Sequence, residues 1–314
     1  LMKDEATAFA DRMMRRIAEP YTLDGRQVFT NVKIGIAFGN SKYAEAEDIL
    51  RDADIAMYYA KDNEENYVIF DQKMHIRAVT RLQLETDLRF AIERNEFELH
   101  YQPIIGLDSA DLIGFEALVR WNHPQRGLIP PNEFIPITES TGLIVPITIQ
   151  ILHSACEQIA KWQDRVIGDK PLSVAVNISG KHFAHPSLVD QIKAVLAESG
   201  INPACLKLEL TESAIMENAD TAISMLKEIK STGVQISIDD FGTGYSSLSY
   251  LHRFPIDLLK VDRSFVSAME SNSENGEIVR TVIALAKSLG LESIAEGVET
   301  REQVDFLLAE GCDR

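Results

Sequence analysis

Apolar positions along the chain follow a helical period in some stretches and a strand period in others. Over residues 5–19 Phe9, Met13 and Ile17 recur on one face, which predicts an amphipathic helix ending near Pro20. The turn Asp24-Gly25 leads into VFTNVKIGIAF at 28–38, a predicted strand. A helix comes next at 45–63, burying Ile49, Leu50, Ala53, Met57 and Tyr58, and then a short strand, YVIF, at 67–70. This helix-strand-helix-strand unit has too few strands to enclose a core and reads as a fragment of a domain. A charged helix at 76–94, carrying Leu82, Leu84, Leu88, Ala91 and Ile92, links it to the rest of the chain.

Beyond that helix, FELHYQPII and LIGFEALVRW are joined by GLDSAD. Six residues cannot hold a crossover helix, so the two strands should form an antiparallel hairpin. The pattern then alternates. Helices are expected at 132–139 and 143–165, a strand at 172–178, a helix at 187–199 and a strand at 206–211. Helix 219–231, strand 234–239, a short helix near 246–252 and strand 257–261 continue it; helix 276–289, strand 292–295 and helix 300–310 complete it. Repeated strand and helix with polar residues at strand C-termini predicts a (β/α) barrel rather than an open sheet, whose site would gather in one crevice. Seven strands can be counted, one strand and one helix short of a full eightfold barrel. The expected organisation is a partial domain at 1–75, a linker helix at 76–95 and the barrel at 96–314.

Charge narrows the possibilities. A formal net charge of -17 argues against DNA or RNA as partner, since a nucleic-acid footprint should be basic. A small nucleotide stays possible where metal ions and a few local cations overcome the field. Cys156, Cys205 and Cys312 form no metal-binding or disulfide spacing, which suits a reducing compartment. The longest apolar run, LIVPITIQIL at 143–152, is too short to span a bilayer, and the first residues have no signal-peptide pattern. The expected location is cytoplasmic with no membrane contact from this chain, although an anchor or a sensory domain in a longer protein is compatible with it.

Candidate chemistry lies in carboxylates set among β-forming residues: Glu116 in FEALVRW, Glu209 in LKLELTES, Asp239 and Asp240 in VQISIDDFGTG, and Glu296 in LESIAEGVET. Asn177 closes LSVAVNIS and Lys260 lies in LLKVD. Singly, each has an ordinary explanation. Glu116 reads as a strand-edge charge, Asp239-Asp240 as a turn, Asn177 as a helix cap, Glu212 as a first-turn helix charge and Lys260 as a snorkelling side chain. Together, carboxylates buried in a sheet cost too much unless paired or bound to a cation, and a metal site at one end of a barrel explains them jointly. Hard divalent cations favour such oxygen ligands. Arg120 lies four residues after Glu116 with the same strand parity, so both can face the lumen, and its guanidinium suits phosphate.

The motifs QP at 102–103, EAL at 116–118, VNIS, ELTES at 209–213, DDFGTGYSSL at 239–248, KVDRSFV at 260–266 and AEGVET at 295–300 resemble, in order and spacing, the EAL-domain family of cyclic di-GMP phosphodiesterases. Residues 1–75, through VKIGIAF, DILRDADIAMYYAK and YVIF, resemble the C-terminal half of a GGDEF diguanylate cyclase domain; the loop that names that domain does not occur in the sequence. The resemblance implies a modified TIM barrel with an antiparallel first strand, beside a small α+β remnant. It also implies hydrolysis of one phosphodiester of cyclic di-GMP to linear pGpG with two Mg²⁺ or Mn²⁺ ions, Ca²⁺ being inhibitory. By resemblance Glu116, Asn177, Glu209 and Asp239 hold one metal. Asp239 bridges to a second, completed by Asp240 and Glu296. Catalytic roles fall to Glu116, Lys260, Glu296 and Asp240, with Lys260 orienting the attacking water or stabilising developing charge and Glu296 either base or ligand. Gln102, Arg120 and Asp262 are the implied substrate contacts, and Glu212 and Glu299 the supports, Glu212 for the DFGTG loop. A homodimer through the 245–275 region is expected, where Leu248, Tyr250, Leu251 and Phe254 cluster. The alternatives are a receptor that binds cyclic di-GMP without turnover and a regulatory scaffold.

Overall fold

The computed structural model describes residues 3–39, 43, 45–163, 171–243, 248–269 and 273–314. It divides into two compact units, Leu1–Asp87 and Leu88–Arg314. Residues 164–165 of one expected helix and residues 244–247 of the DDFGTGYSSL motif lie outside the described residues.

The first unit starts with α1 (Lys3–Ile17), followed by the hairpin β1 (Tyr21–Leu23) and β2 (Arg26–Val28). The predicted strand 28–38 is thus divided. Asp24 and Gly25 take left-handed conformations that fold the chain back on itself, and only Ile34–Ile36 forms the next strand, β3. α2 (Ala46–Asp62) crosses to β4 (Tyr67–Ile69), which pairs parallel with β3. The crossover is close: a Cβ on Gly35 would lie 1.9 Å from the Ala53 carbonyl oxygen. Ala56, Ala60 and Val68 form a small core with Tyr59, Phe70 and Met74 against it, while Phe9, Leu50 and Tyr58 are exposed. α3 (Gln72–Arg94) begins in this unit and ends in the next.

The second unit opens with the antiparallel pair β5 (Phe97–Ile105) and β6 (Leu112–His123), as the short connection predicts; β7 (Gly127–Ile129) adds to β6. Then come α4 (Pro131–Thr141), α5 (Ile144–Gln163), β8 (Ser173–Asn177), α6 (Gly180–Phe183), α7 (Leu188–Ser199) and β9 (Leu206–Thr211). α8 (Glu212–Met216), α9 (Ala219–Lys230), β10 (Gln235–Phe241), α10 (Leu248–Leu251), β11 (Leu258–Val261) and α11 (Arg263–Ala268) are next. α12 (Ser273–Leu289), β12 (Glu292–Ala295) and α13 (Arg301–Glu310) end the order. The short α6, α8 and α11 escape sequence patterning because one turn or so shows no period.

The sheet runs β12-β11-β10-β9-β8-β6-β5, parallel except at β5. It curls. Arg314 bonds to the backbone of β12 while the Asp313 carbonyl accepts from Leu107, just after β5, so residues 313–314 connect both edges. Leu206, Leu208 and Leu210 of β9, with Val174, Val176, Ile236 and Ile238, pack the outer face against the helices. The alternate residues face inward, and because parallel pairing keeps neighbours on one face, polar residues share the lumen: Glu116, Lys207, Glu209, Ser237, Asp239, Lys260 and Glu292.

Candidate active site

Strand parity delivers the acids to one place. Glu116 and Ala175 are register partners, as are Asn177 and Glu209, and Glu209 and Ser237. Two residues further along β10 comes Asp239. These side chains meet at the Lys260 ammonium, whose Nζ lies 2.9 Å from Glu209, 3.2 Å from Asp239, 3.4 Å from Glu116 and 2.5 Å from Glu296. Asn177 Nδ2 donates to the other Glu116 oxygen at 2.8 Å, which fixes the orientation of that carboxylate.

The electrostatics are uneven. Burial pushes the Glu209 carboxyl up to about 8, and the neighbouring Glu116 and Asp239 add to the rise against the pull of Lys260. Burial likewise raises Glu296, again against Lys260. Burial opposes the charge on Lys260, yet four carboxylates outweigh it and hold the ammonium well above its usual range. Lys260 therefore stays protonated and acts as a donor.

Asp239 and Asp240 are adjacent, so an ideal strand would send them to opposite faces. β10 does not stop at Asp239 as expected. It continues to Phe241 through a register shift between Ile238 and Phe241, with Asp240 left-handed at φ 54°. The Asp240 amide donates to Asp239 Oδ1 at 2.9 Å. Its carboxyl shares a hydrogen bond with Asp262 and rises to about 6 through burial and the charges of Asp239 and Asp262. Asp262 shows the opposite shift. Burial opposes it, but donors from Ser264 hold the Asp262 carboxyl below its usual range while it caps α11.

The remaining expected residues surround this centre at varying distance. Gln102 faces Glu116 across the β5–β6 pair and is exposed. Arg120 shares the face of Glu116, but its guanidinium donates to the Val119 carbonyl at 2.8 Å. Glu212, buried, accepts from the Gly242 amide at 3.1 Å. Glu299 stands outside the carboxylate cluster, paired at 2.8 Å with Arg263 on the surface. Three neighbours went unnoticed in the sequence: Lys207, whose parity with Glu209 was its signal, Arg263, and Gln303, whose signal was the T-x-x-Q capping spacing at 300–303.

Among the described residues, no group of three or more His, Cys, Asp or Glu side chains is spaced to hold a metal ion. The carboxylates are drawn in on the Lys260 ammonium instead. By chemistry they fit a hard divalent cation: all donors are oxygen, and four acids face one tethered positive charge.

A TIM-barrel-like sheet with a reversed first strand and an acidic, cation-attracting lumen defines an α/β protein of the barrel class. The chain belongs to the EAL domain family, whose model matches residues 85–314; the model of the diguanylate cyclase GGDEF domain matches residues 2–67. It is 43% identical over 310 residues to the bifunctional diguanylate cyclase/cyclic di-GMP phosphodiesterase MucR of Pseudomonas aeruginosa, covering 98% of this chain and 45% of that protein. It is 39% identical over 307 residues to the cyclic di-GMP phosphodiesterase PdeR of Escherichia coli, covering 98% and 46% respectively. The chain thus spans about half the length of these relatives. Among solved structures, the MucR phosphodiesterase in complex with c-di-GMP superposes with a TM-score of 0.70 at 46% identity, over 74% of this chain and 93% of that one. An EAL domain protein from Listeria monocytogenes superposes at 0.63 with 31% identity, over 73% and 88%.

Proposed function

We propose that the barrel hydrolyses one phosphodiester of cyclic di-GMP to linear pGpG. The observation that carries this reading is the convergence of Glu116, Glu209, Asp239 and Glu296 on one point. The similarity to cyclic di-GMP phosphodiesterases supports the substrate. Two bound Mg²⁺ or Mn²⁺ ions would activate water and neutralise the transferring phosphoryl oxygens. Glu116, Asn177, Glu209 and Asp239 are the residues to hold one ion, and Asp239, Asp240 and Glu296 the other. Lys260, kept protonated, orients the attacking water or offsets charge on the phosphoryl group. Glu296, whose carboxyl is raised by burial, takes up the water proton. Arg120, once released from the Val119 carbonyl, presents paired donors to phosphate, and Gln102 and Asp262 position the nucleotide. Glu212 anchors the chain after β10 through Gly242, and Glu299 supports the second ion from outside the cluster.

Among the described residues no helix is long and apolar enough to cross a membrane, and we place the activity in the cytoplasm. The residues 1–75 pass on signals from a sensory domain in a longer protein, with 76–95 as the linker and 96–314 as the working barrel. A homodimer forms through the 245–275 surface, part of which lies outside the described residues. Sedimentation across a hundredfold protein concentration range, paired with specific activity, tests whether association supports turnover; a monomer of undiminished activity at every concentration ends that idea.

Chromatographic conversion of cyclic di-GMP to pGpG in Mg²⁺, Mn²⁺, Ca²⁺ and EDTA tests the main reading. Turnover is expected in the first two alone, because Ca²⁺ accepts a looser shell and misplaces the water. Equal rates in all four refute it. The second reading, a receptor without turnover, draws on the closure of the acids around Lys260, and binding without conversion favours it.

A further inference from the structure

We propose that Gln303, assisted by Arg263, is a positioning residue that aims Glu296 into the site; the inference rests on the phosphodiesterase reading of the acid cluster. Glu296 is the one acid of the four around Lys260 that lies beyond the end of its strand, since β12 closes at Ala295. Its amide donates to the Val261 carbonyl at 3.2 Å, which fixes the incoming side. The outgoing side turns at once through Gly297, left-handed at φ 68°. Where the Glu296 carboxylate points therefore depends on what holds residues 297–300.

Gln303 holds them. It is buried, and its Oε1 accepts from the Glu299 amide at 2.7 Å and the Thr300 amide at 3.1 Å. Its Nε2 donates at 3.4 Å to the Val266 carbonyl of α11, the helix that comes after Lys260-Val261-Asp262. One amide thus joins the loop after β12 to α11, the helix that follows β11. Arg263 spans the same gap from outside. Its stem lies on Gly297, where a Cβ would come within 2.3 Å of Arg263 Cγ, and its guanidinium pairs with Glu299. An exposed ion pair contributes little, so the packing on Gly297 and the buried amide carry the positioning.

The competing role, a cap of α13 and nothing more, uses only Oε1. Gln303→Glu keeps that acceptor and loses the donor to Val266, whereas Gln303→Met loses both. Asn218→Ala, at the N-cap of α9, serves as a control for loss of a helix cap away from the site. We expect Gln303→Met and Gln303→Glu each to lower kcat about tenfold and to raise the half-saturating Mg²⁺ concentration by a similar factor. KM for cyclic di-GMP should stay within about twofold. Asn218→Ala should leave all three unchanged. Gln303→Glu at wild-type kcat, or Gln303→Met no worse than the control at equal loss of melting temperature, overturns the proposal. Should the wild type hydrolyse no cyclic di-GMP, the phosphodiesterase reading fails, and amide hydrogen exchange still decides this one. Faster exchange at Gly297 and Val298 in both Gln303 variants but not in the control upholds it, and unchanged exchange refutes it.

Discussion

Replacing Lys207 by Met should make the barrel more stable at neutral pH. Lys207 lies two residues before Glu209 on the lumen face of β9, is 2% exposed, and its Nζ has no hydrogen-bond partner among the described residues. Burial, with Arg314 adding to it, lowers its pKa from 10.5 to about 8, against the pull of Glu292, Glu209 and Asp257. A fall of that size corresponds to about 3 kcal/mol lost by the folded state whenever the lysine is charged in both states. Met has nearly the same length and needs no partner, so the variant should recover most of it, on the order of 2–3 kcal/mol, or about 5–10 °C in melting temperature for a unit of this size. The pH dependence runs in one direction. Between about 8 and 10.5 the unfolded chain holds the Lys207 proton and the folded chain does not, so wild-type stability should rise with pH across that window relative to Lys207→Met. Trp121 and Trp162, the chain's two tryptophans, both belong to the barrel unit, so tryptophan fluorescence in urea reports on that unit alone. A variant less stable than wild type at pH 7, or a stability difference that stays constant from pH 7 to 10, refutes the reasoning.

Glu116→Ala and Asp239→Ala should each lower kcat at least about a hundredfold, as when a catalytic electrostatic group is lost, with the metal-free melting temperature preserved because a crowded acid is removed; a fall of several degrees in EDTA would contradict it. Glu212→Ala should cost activity by freeing the Gly242 amide it accepts from, and a crystal structure with residues 240–243 unmoved beside normal turnover would refute that. Lys260→Met leaves four carboxylates without their common partner, so it should destabilise the barrel by about 3–5 kcal/mol in EDTA and be rescued by Mg²⁺ more than wild type is; equal Mg²⁺ responses would sink the idea.

Period-two patterning made the strands legible, and with them the inward parity of Glu116 and Glu209. It also made the antiparallel β5–β6 pair legible, because a six-residue connection leaves no other geometry. What the sequence could not display was the meeting point. Lys260 is 144 residues from Glu116, and nothing local says that one ammonium takes four carboxylates. Asp240 was placed at a strand end, whereas the strand continues through a bulge whose signature is a dihedral angle. Lys207 looked like any strand residue, and nothing local showed that its ammonium would be buried without a hydrogen bond among the described residues.

Lys260 also determines what the site will ignore. A tethered ammonium at the focus of four acids behaves as a resident monovalent ion at very high local concentration. Na⁺ and K⁺ bring no more charge than the group they would displace, and lack its covalent attachment. Only an ion offering two charges to the same oxygens gains by the exchange. If the cluster holds the divalent ions proposed above, the barrel discriminates by valence before it discriminates by size, and in a potassium-rich solution its acids would remain reserved for those ions.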